Sequence, residues 1–389
     1  MGNKLATLTP ALDYYFHDLS GVILQESLGG KFLRTIKCMH DDGDMVVKVY
    51  IKQATSQSQQ AQQAQSMDEY HRRLQELRGN LNMVQNRNVM PFQKFIETEK
   101  ACYLMRQYFA NNLVDRIGTR PFLTSLEKAW VAFQLLMALR QAHFYGLCHG
   151  DVKSENVMVT SWNWVFLTDF APYKPTFIPQ DDSTHEFSYY FDTSERRVCY
   201  LAPERFVADS VEAAAAAQDN ESSLKPAMDV FSMGCVIAEL YLEGVAIFDF
   251  SQHFRFRKGE YHPREALSRI RDPHIRALIT RMIDADPDAR GTAGTLIHEN
   301  IGTTFPPYFL LLHNYVARLM KMPADERILA VHRDLDSLFA RLAPADTASD
   351  SAESAPAREP DSAQGTGAST QKKVDPAGSA LNIHATLLD

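Results

Sequence analysis

Three short strings constrain this chain more than anything else in it: HGDVKSEN at His149 to Asn156, TDFA at Thr168 to Ala171, and LAPE at Leu201 to Glu204. They occur in the order, and near the spacing, that phosphoryl transfer from a nucleotide needs. That chemistry asks for a carboxylate beside the attacking hydroxyl, the place of Asp151, and a cation on the moving phosphate, the place of Lys153. It also asks for two oxygen ligands to Mg²⁺, the places of Asn156 and Asp169. One match of three letters is weak; three in register tie the chain to one architecture.

That architecture is a two-lobed protein-kinase fold, and the periodicities along the chain agree with it. From about Val22 to Tyr108 the reading is strand-like, with β-branched residues around Lys48 in DMVVKVYI and a second buried-type run, ACYLMRQYF, at Ala101 to Phe109. The polar run Gln53 to Ser66 reads as a solvated loop or a frayed helix start. Next, Tyr70, Leu74, Leu77 and Leu81 have helical spacing over 67–81. From Leu126 a helix is expected that stops at Gly146, and the stretch from Ala227 to Gly244 is apolar nearly all round, the mark of a buried helix. Glu212 to Ser223 reads as a surface insertion, and the amphipathic segment from Phe305 to about Leu342 is divided into two helices by Pro323. The expected class is α+β: a small β-rich N-lobe over 22–110, a larger helical C-lobe over 111–304, a helical extension over 305–342, and a disordered tail over 343–389 rich in Ala, Ser, Pro, Asp and Gly. Residues 1–21 form a separate N-terminal segment in this reading.

Charge and cysteine usage exclude several other classes. A net charge of −8 with no basic stripe argues against nucleic acid as a partner. The five cysteines are scattered without a CxxC pair, which fits reduced thiols in a cytoplasmic compartment better than a zinc site or disulfide frame. No apolar run reaches membrane-spanning length. The N-terminus MGNKLAT offers Gly2 for a myristoyl chain, although Ala6 stands where the usual acceptor pattern has Ser or Thr. One acyl chain with a single Lys4 beside it anchors weakly, so stable membrane attachment would need a second contact.

Beyond the catalytic strings, Lys48 in a buried-type strand needs an anionic partner, and nucleotide phosphates supported by a helix carboxylate suit it. Glu76 is the better candidate for that carboxylate and Glu69 the alternative. Asp229, opening the buried helix, is expected to accept N–H groups of the catalytic loop, and Glu204 with Arg290 are the right types for a buried ion pair bracing the larger lobe. The departures matter as well. In the phosphate-covering loop Gly29 is followed by Lys31 and Arg34 at the next two glycine positions, so the backbone is not expected to close over phosphates in the ordinary way. Gly150 replaces the arginine that would dock an activation-segment phosphate, Ala171 replaces a hinge glycine, and Arg197 replaces a threonine that ordinarily meets the catalytic aspartate.

With these residues in view, the chain resembles the N-terminal kinase-like domain of the large regulatory subunit of class III phosphatidylinositol 3-kinase, the vacuolar-protein-sorting protein kinases. The resemblance rests on MGN, TRPF (Thr119–Phe122), HGD with ENVMVTSWNWV (Glu155–Val165), TDFA, KPT (Lys174–Thr176), FDTS (Phe191–Ser194), CYLAPERF (Cys199–Phe206) and SMGCVIAEL (Ser232–Leu240). It covers about Met1 to Leu342, and the HGD and DFA departures belong to that family. It implies a scaffold myristoylated at Gly2 that holds the lipid-kinase catalytic subunit and a coiled-coil autophagy or sorting subunit. Such a scaffold would be cytoplasmic and peripheral on endosomal and autophagic membranes. It implies further helical repeats and a β-propeller absent from this chain, which then is a fragment, a short isoform or a truncated gene model; the helices after Phe305 would begin the repeat array, or else simply cap the lobe. Three functions stay open. One is a serine/threonine protein kinase using Mg²⁺ with ATP or GTP, with Asp151 as base, Lys153 on the γ-phosphate, Lys48 and Gly29 at the nucleotide, and Asn156 and Asp169 on the metal. The others are a catalytically silent nucleotide-binding domain and a pure interaction module.

Overall fold

Alternation along Gly43–Ile51 (β3) organises the first lobe: Val47 and Val49 are buried on one face, while Val46 and Lys48 turn to the other and line a cleft. The structure, a computed structural model, describes residues 14–17, 19–52, 72, 88–179, 183–191, 196–207 and 224–342. The strand β3 pairs antiparallel with β2 (Arg34–His40) and β6 (Ala101–Gln107), which sets Lys48 opposite Thr35 and Leu104. With β1 (Ile23–Gly29) and β5 (Lys94–Glu97) the sheet has the order β1-β2-β3-β6-β5. The face away from the cleft packs Val47 and Val49 against Ile36, Cys38, Tyr103 and Met105, with Phe16 and Leu19 laid over them.

Two helices carry the larger lobe. The helix expected from Leu126 forms over Ser125–Phe144, opened by a capping box in which the Thr124 N–H donates to the Glu127 carboxylate and the Glu127 N–H to the Thr124 hydroxyl. It ends before Gly146, which takes φ +69° and donates to the His143 carbonyl. The helix Pro226–Tyr241, with Pro226 in its first turn, is buried along almost its whole length from Met228 to Leu240. A Cβ on its Gly234 would lie 2.8 Å from Met282 Cβ, so this glycine sets how closely the helix Pro273–Met282 packs.

Small strands place Asn156 and Asp169 at their ends. The strands β4 (Val89–Met90), β7 (Val157–Val159) and β8 (Val165–Thr168) form a sheet in the order β4-β8-β7. Asn156 directly precedes β7, and Asp169 directly follows β8. The SWNWV string forms the turn between β7 and β8 and ends on Val165, the first residue of β8, with Asn163 left-handed at φ +59° and its side chain bonded to Arg116 and Glu127. A short parallel pair, β9 (Ile178–Pro179) and β10 (Phe206–Val207), joins the two ends of the segment between them.

The segment after Phe305 forms helices over Tyr308–Met320 and Ala324–Leu342, on either side of Pro323. Phe309 of the first packs edge-on against Trp130 and Phe133, and His313 bonds Asn88, so that helix caps the lobe. By internal contacts the chain divides into units Met1–Arg327 and Ile328–Asp389. Glu69 and Glu76, Gly2, the glutamine-rich stretch, the alanine insertion and the tail lie outside the described residues. No helix among the described residues is long and apolar enough to cross a membrane.

Candidate active site

The HGD and DFA strings and Lys48 converge on one cleft of about 430 Å³, lined among others by Lys48, Asp151, Lys153, Asn156 and Asp169. Its floor is set from below. Asp229, in the first turn of the buried helix, accepts the N–H of His149 at 2.7 Å and of Gly150 at 2.9 Å, and bonds His143 Nε2 at 3.0 Å. His149 Nδ1 accepts the Asp151 N–H at 3.1 Å and its Nε2 bonds the Thr168 carbonyl at 2.8 Å, tying the HGD loop to β8. Glu204 and Arg290 form a two-bonded ion pair at 2.7 and 2.9 Å, and Arg290 is fully buried.

The two aspartates are charged and crowded by cations. Burial alone would raise the Asp151 carboxyl, but Lys153 at 3.3 Å and Lys174 at 2.7 Å, both on Oδ2, outweigh it and hold the group well below the usual range. Asp169 has φ +63°, a conformation uncommon for aspartate. Burial likewise opposes its charge, and Arg106 with Lys48 reverses that: Arg106 grips both oxygens at 2.6 and 3.1 Å, and Lys48 meets Oδ2 at 2.8 Å. Lys48 itself is lowered by burial and by Arg106, against the pull of Asp169. Lys174 is pushed down to about 8 by burial, with Asp151 countering and Lys153 adding to the push. Asn156 Nδ2 donates to the Asp151 carbonyl at 2.8 Å. An ionised carboxylate and an amide oxygen suit a hard cation such as Mg²⁺, so the donor set of Asp169 and Asn156 fits it, although a metal at Asp169 must compete with Arg106.

The roof departs from glycine-only closure, as the sequence indicates. Gly29 has φ +101° with open space around it, whereas Gly30, at φ +96°, lines the cleft, and a Cβ there would meet the Leu33 carbonyl at 2.0 Å. Phe32 at the tip packs against Tyr50, Tyr173, Tyr189 and Tyr190, with centroids 5.0–6.0 Å away, so aromatic contact joins this loop to the segment after DFA.

Gly150 is more than a missing arginine. It has φ +77°, its missing Cβ would lie 2.6 Å from Leu224 Cδ1, and its carbonyl accepts from the buried Arg205 at 2.7 Å. The other nitrogens of Arg205 donate to the carbonyls of Thr176 and Pro175 at 2.8 Å each, fastening the segment to the HGD loop without a phosphate. A second fastening centres on the buried Glu239, which bonds Ser154 and Tyr200 at 2.6 Å and pairs with Arg196; Arg196 also reaches Glu155 at 2.9 Å. Arg197 is exposed and left-handed at φ +52°.

Sequence reasoning missed Arg106, Arg205, the Arg196–Glu239 pair and the placement of Lys174. A usable signal existed for two of them. Arginine inside the apolar run ACYLMRQ calls for a buried anion, and glutamate inside the apolar helix Pro226–Tyr241 calls for a buried cation.

The model of the protein kinase domain family matches residues 24–301. Among curated proteins, the chain is 47% identical over 342 residues to the probable serine/threonine-protein kinase vps15 of Dictyostelium discoideum, an alignment covering 87% of this chain and 16% of that protein. It is 46% identical over 335 residues to serine/threonine-protein kinase VPS15 of Arabidopsis thaliana, covering 84% and 22%. It is 40% identical over 305 residues to the protein of the same name from Saccharomyces cerevisiae, covering 77% and 20%. The chain thus spans roughly a fifth of the length of these relatives.

Proposed function

Because the chain belongs to the protein kinase family, we propose that its cleft binds Mg²⁺ with ATP, or alternatively GTP, as the kinase-like part of a class III phosphatidylinositol 3-kinase complex. The observation that carries this reading is the convergence of Lys48, Asp151, Lys153, Asn156 and Asp169 on one cleft. In it Lys48 meets the α- and β-phosphates, while Asp169 and Asn156 hold Mg²⁺, which supplies neutralisation of phosphate charge. Asp151 takes the proton of a serine or threonine hydroxyl as its oxygen bonds the γ-phosphorus, and the bond from that phosphorus to the β–γ bridging oxygen breaks to leave the nucleoside diphosphate. The partners in this reading are the lipid-kinase catalytic subunit and a coiled-coil sorting or autophagy subunit. Attachment to endosomal and autophagic membranes uses those partners and a myristoyl chain on Gly2.

A second reading, a catalytically silent nucleotide-binding domain, is favoured by the cations on both aspartates. A carboxylate held far below its usual range is a weak proton acceptor, and Asp151 Oδ2 already receives two lysines. Transfer of labelled phosphate to a protein acceptor separates the two. Transfer that vanishes in Asp151→Asn supports the kinase reading; nucleotide binding without transfer in the unaltered chain supports the silent one.

A further inference from the structure

The turn after the DFA string delivers a lysine to the catalytic carboxylate. Ala171, Pro172, Tyr173 and Lys174 form a turn closed by the Lys174 N–H on the Ala171 carbonyl at 3.1 Å, and Pro172 occupies the position where a fixed φ favours such a turn. The turn is anchored at its start by the Ala171 N–H on the His149 carbonyl at 2.8 Å. Its tip residue Tyr173 stacks on Phe32 of the phosphate-covering loop at 6.0 Å and 25°. Lys174 Nζ therefore stands 2.7 Å from Asp151 Oδ2, backed by the Phe191 ring at 5.0 Å, and its side chain is only 11% exposed.

Among the described residues, each of the two aspartates in this corner already meets two cations. Asp151 Oδ2 serves both Lys153 and Lys174, and the neighbouring Asp169 is already gripped by Arg106 and Lys48. Glu155 also attracts Lys153, and its Oε1 is paired with Arg196 at 2.9 Å. Two largely buried ammonium groups sharing one carboxylate oxygen are stabilised by a further anion, and burial strengthens that attraction.

We propose that Lys174 is a phosphate-binding residue of this cleft, which with Lys153 holds the terminal phosphate of a bound nucleoside triphosphate. The inference rests on the nucleotide-binding reading above. A terminal phosphate arriving beside Asp151 draws Lys174 off Oδ2, so the same movement that binds the phosphate opens the carboxylate to an acceptor hydroxyl. A nucleoside diphosphate carries no third phosphate to engage the turn. The site accordingly separates triphosphate from diphosphate through a side chain of its own.

Calorimetric titration of the whole chain with Mg²⁺ and ATP, then ADP, repeated with the guanine nucleotides, tests this in the unaltered protein, Lys174→Met and Lys174→Arg. Triphosphate affinity is expected to fall by about tenfold or more in Lys174→Met. Diphosphate affinity should stay within about twofold, and Lys174→Arg, which keeps the cation, should recover most of the triphosphate affinity. An equal loss for both nucleotides means a structural role only, and no loss for either means that Lys174 serves Asp151 alone; each overturns the inference while leaving nucleotide binding intact. Absence of any binding to the unaltered chain overturns the inference together with the reading beneath it.

Discussion

Restoring the familiar arginine before Asp151 is expected to damage this protein. Gly150 has φ +77°, and a residue with a Cβ held in that conformation costs about 1–2 kcal/mol. The added Cβ would stand 2.6 Å from Leu224 Cδ1, which can turn aside, and 3.2 Å from the Ala171 carbonyl oxygen. That carbonyl has little room to move, because it accepts from Lys174 while the Ala171 N–H holds His149. Overpacking of this kind adds about 1–3 kcal/mol. Gly150→Arg should therefore lose about 2–5 kcal/mol of stability in equilibrium urea denaturation, followed by tryptophan fluorescence. Gly150→Ala, which adds the Cβ alone, should account for most of the loss. A Gly150→Arg protein as stable as the original, or more so, would refute the strained-glycine reasoning, whatever its activity.

Further outcomes follow from the ion pairs. Arg290→Met should cost about 3–5 kcal/mol, because Glu204 loses its partner and the Ala227 and Asp284 carbonyls lose their donor; a change under about 1 kcal/mol contradicts that role. Asp151, Asp169 and Asp229 are all held below the ordinary aspartate value of 3.8, so the unfolded chain binds protons there that the folded chain refuses. Stability present at neutral pH should thus drain away as pH falls through 3.8, and His149, kept neutral by burial, should begin the loss below its ordinary 6.5. A urea midpoint that stays level across that range would contradict this. Arg106→Gln removes the cation that competes for both Asp169 oxygens, so the Mg²⁺ needed to half-saturate nucleotide binding should fall; a rise would mean that Arg106 aids the metal.

The placement of the HGD and DFA strings was legible because their members are neighbours in sequence, where spacing alone brings them together. Strand alternation placed Lys48 on the cleft face, since Val47 and Val49 demand the other side. The buried helix was legible from its all-round apolar content, and Asp229 from its place at that helix's start. What stayed hidden depends on distance along the chain. Nothing in the sequence ties Arg106 to Asp169, 63 residues away, or Arg196 to Glu239, 43 residues away. Gly150 was legible as a departure but not as a requirement: its need for positive φ and its contact with Arg205 arise from the return of a segment 55 residues later.

The central claim, a working Mg²⁺-nucleotide site, is tested most directly by the melting temperature of the chain with Mg²⁺ and ATP, then GTP, beside Asp169→Ala. Nucleotide at about a hundred times its dissociation constant adds about 2.7 kcal/mol, enough for a rise of several degrees. The account predicts that rise in the unaltered protein and its loss in Asp169→Ala. No rise with either nucleotide, or the same rise in the variant, would contradict it.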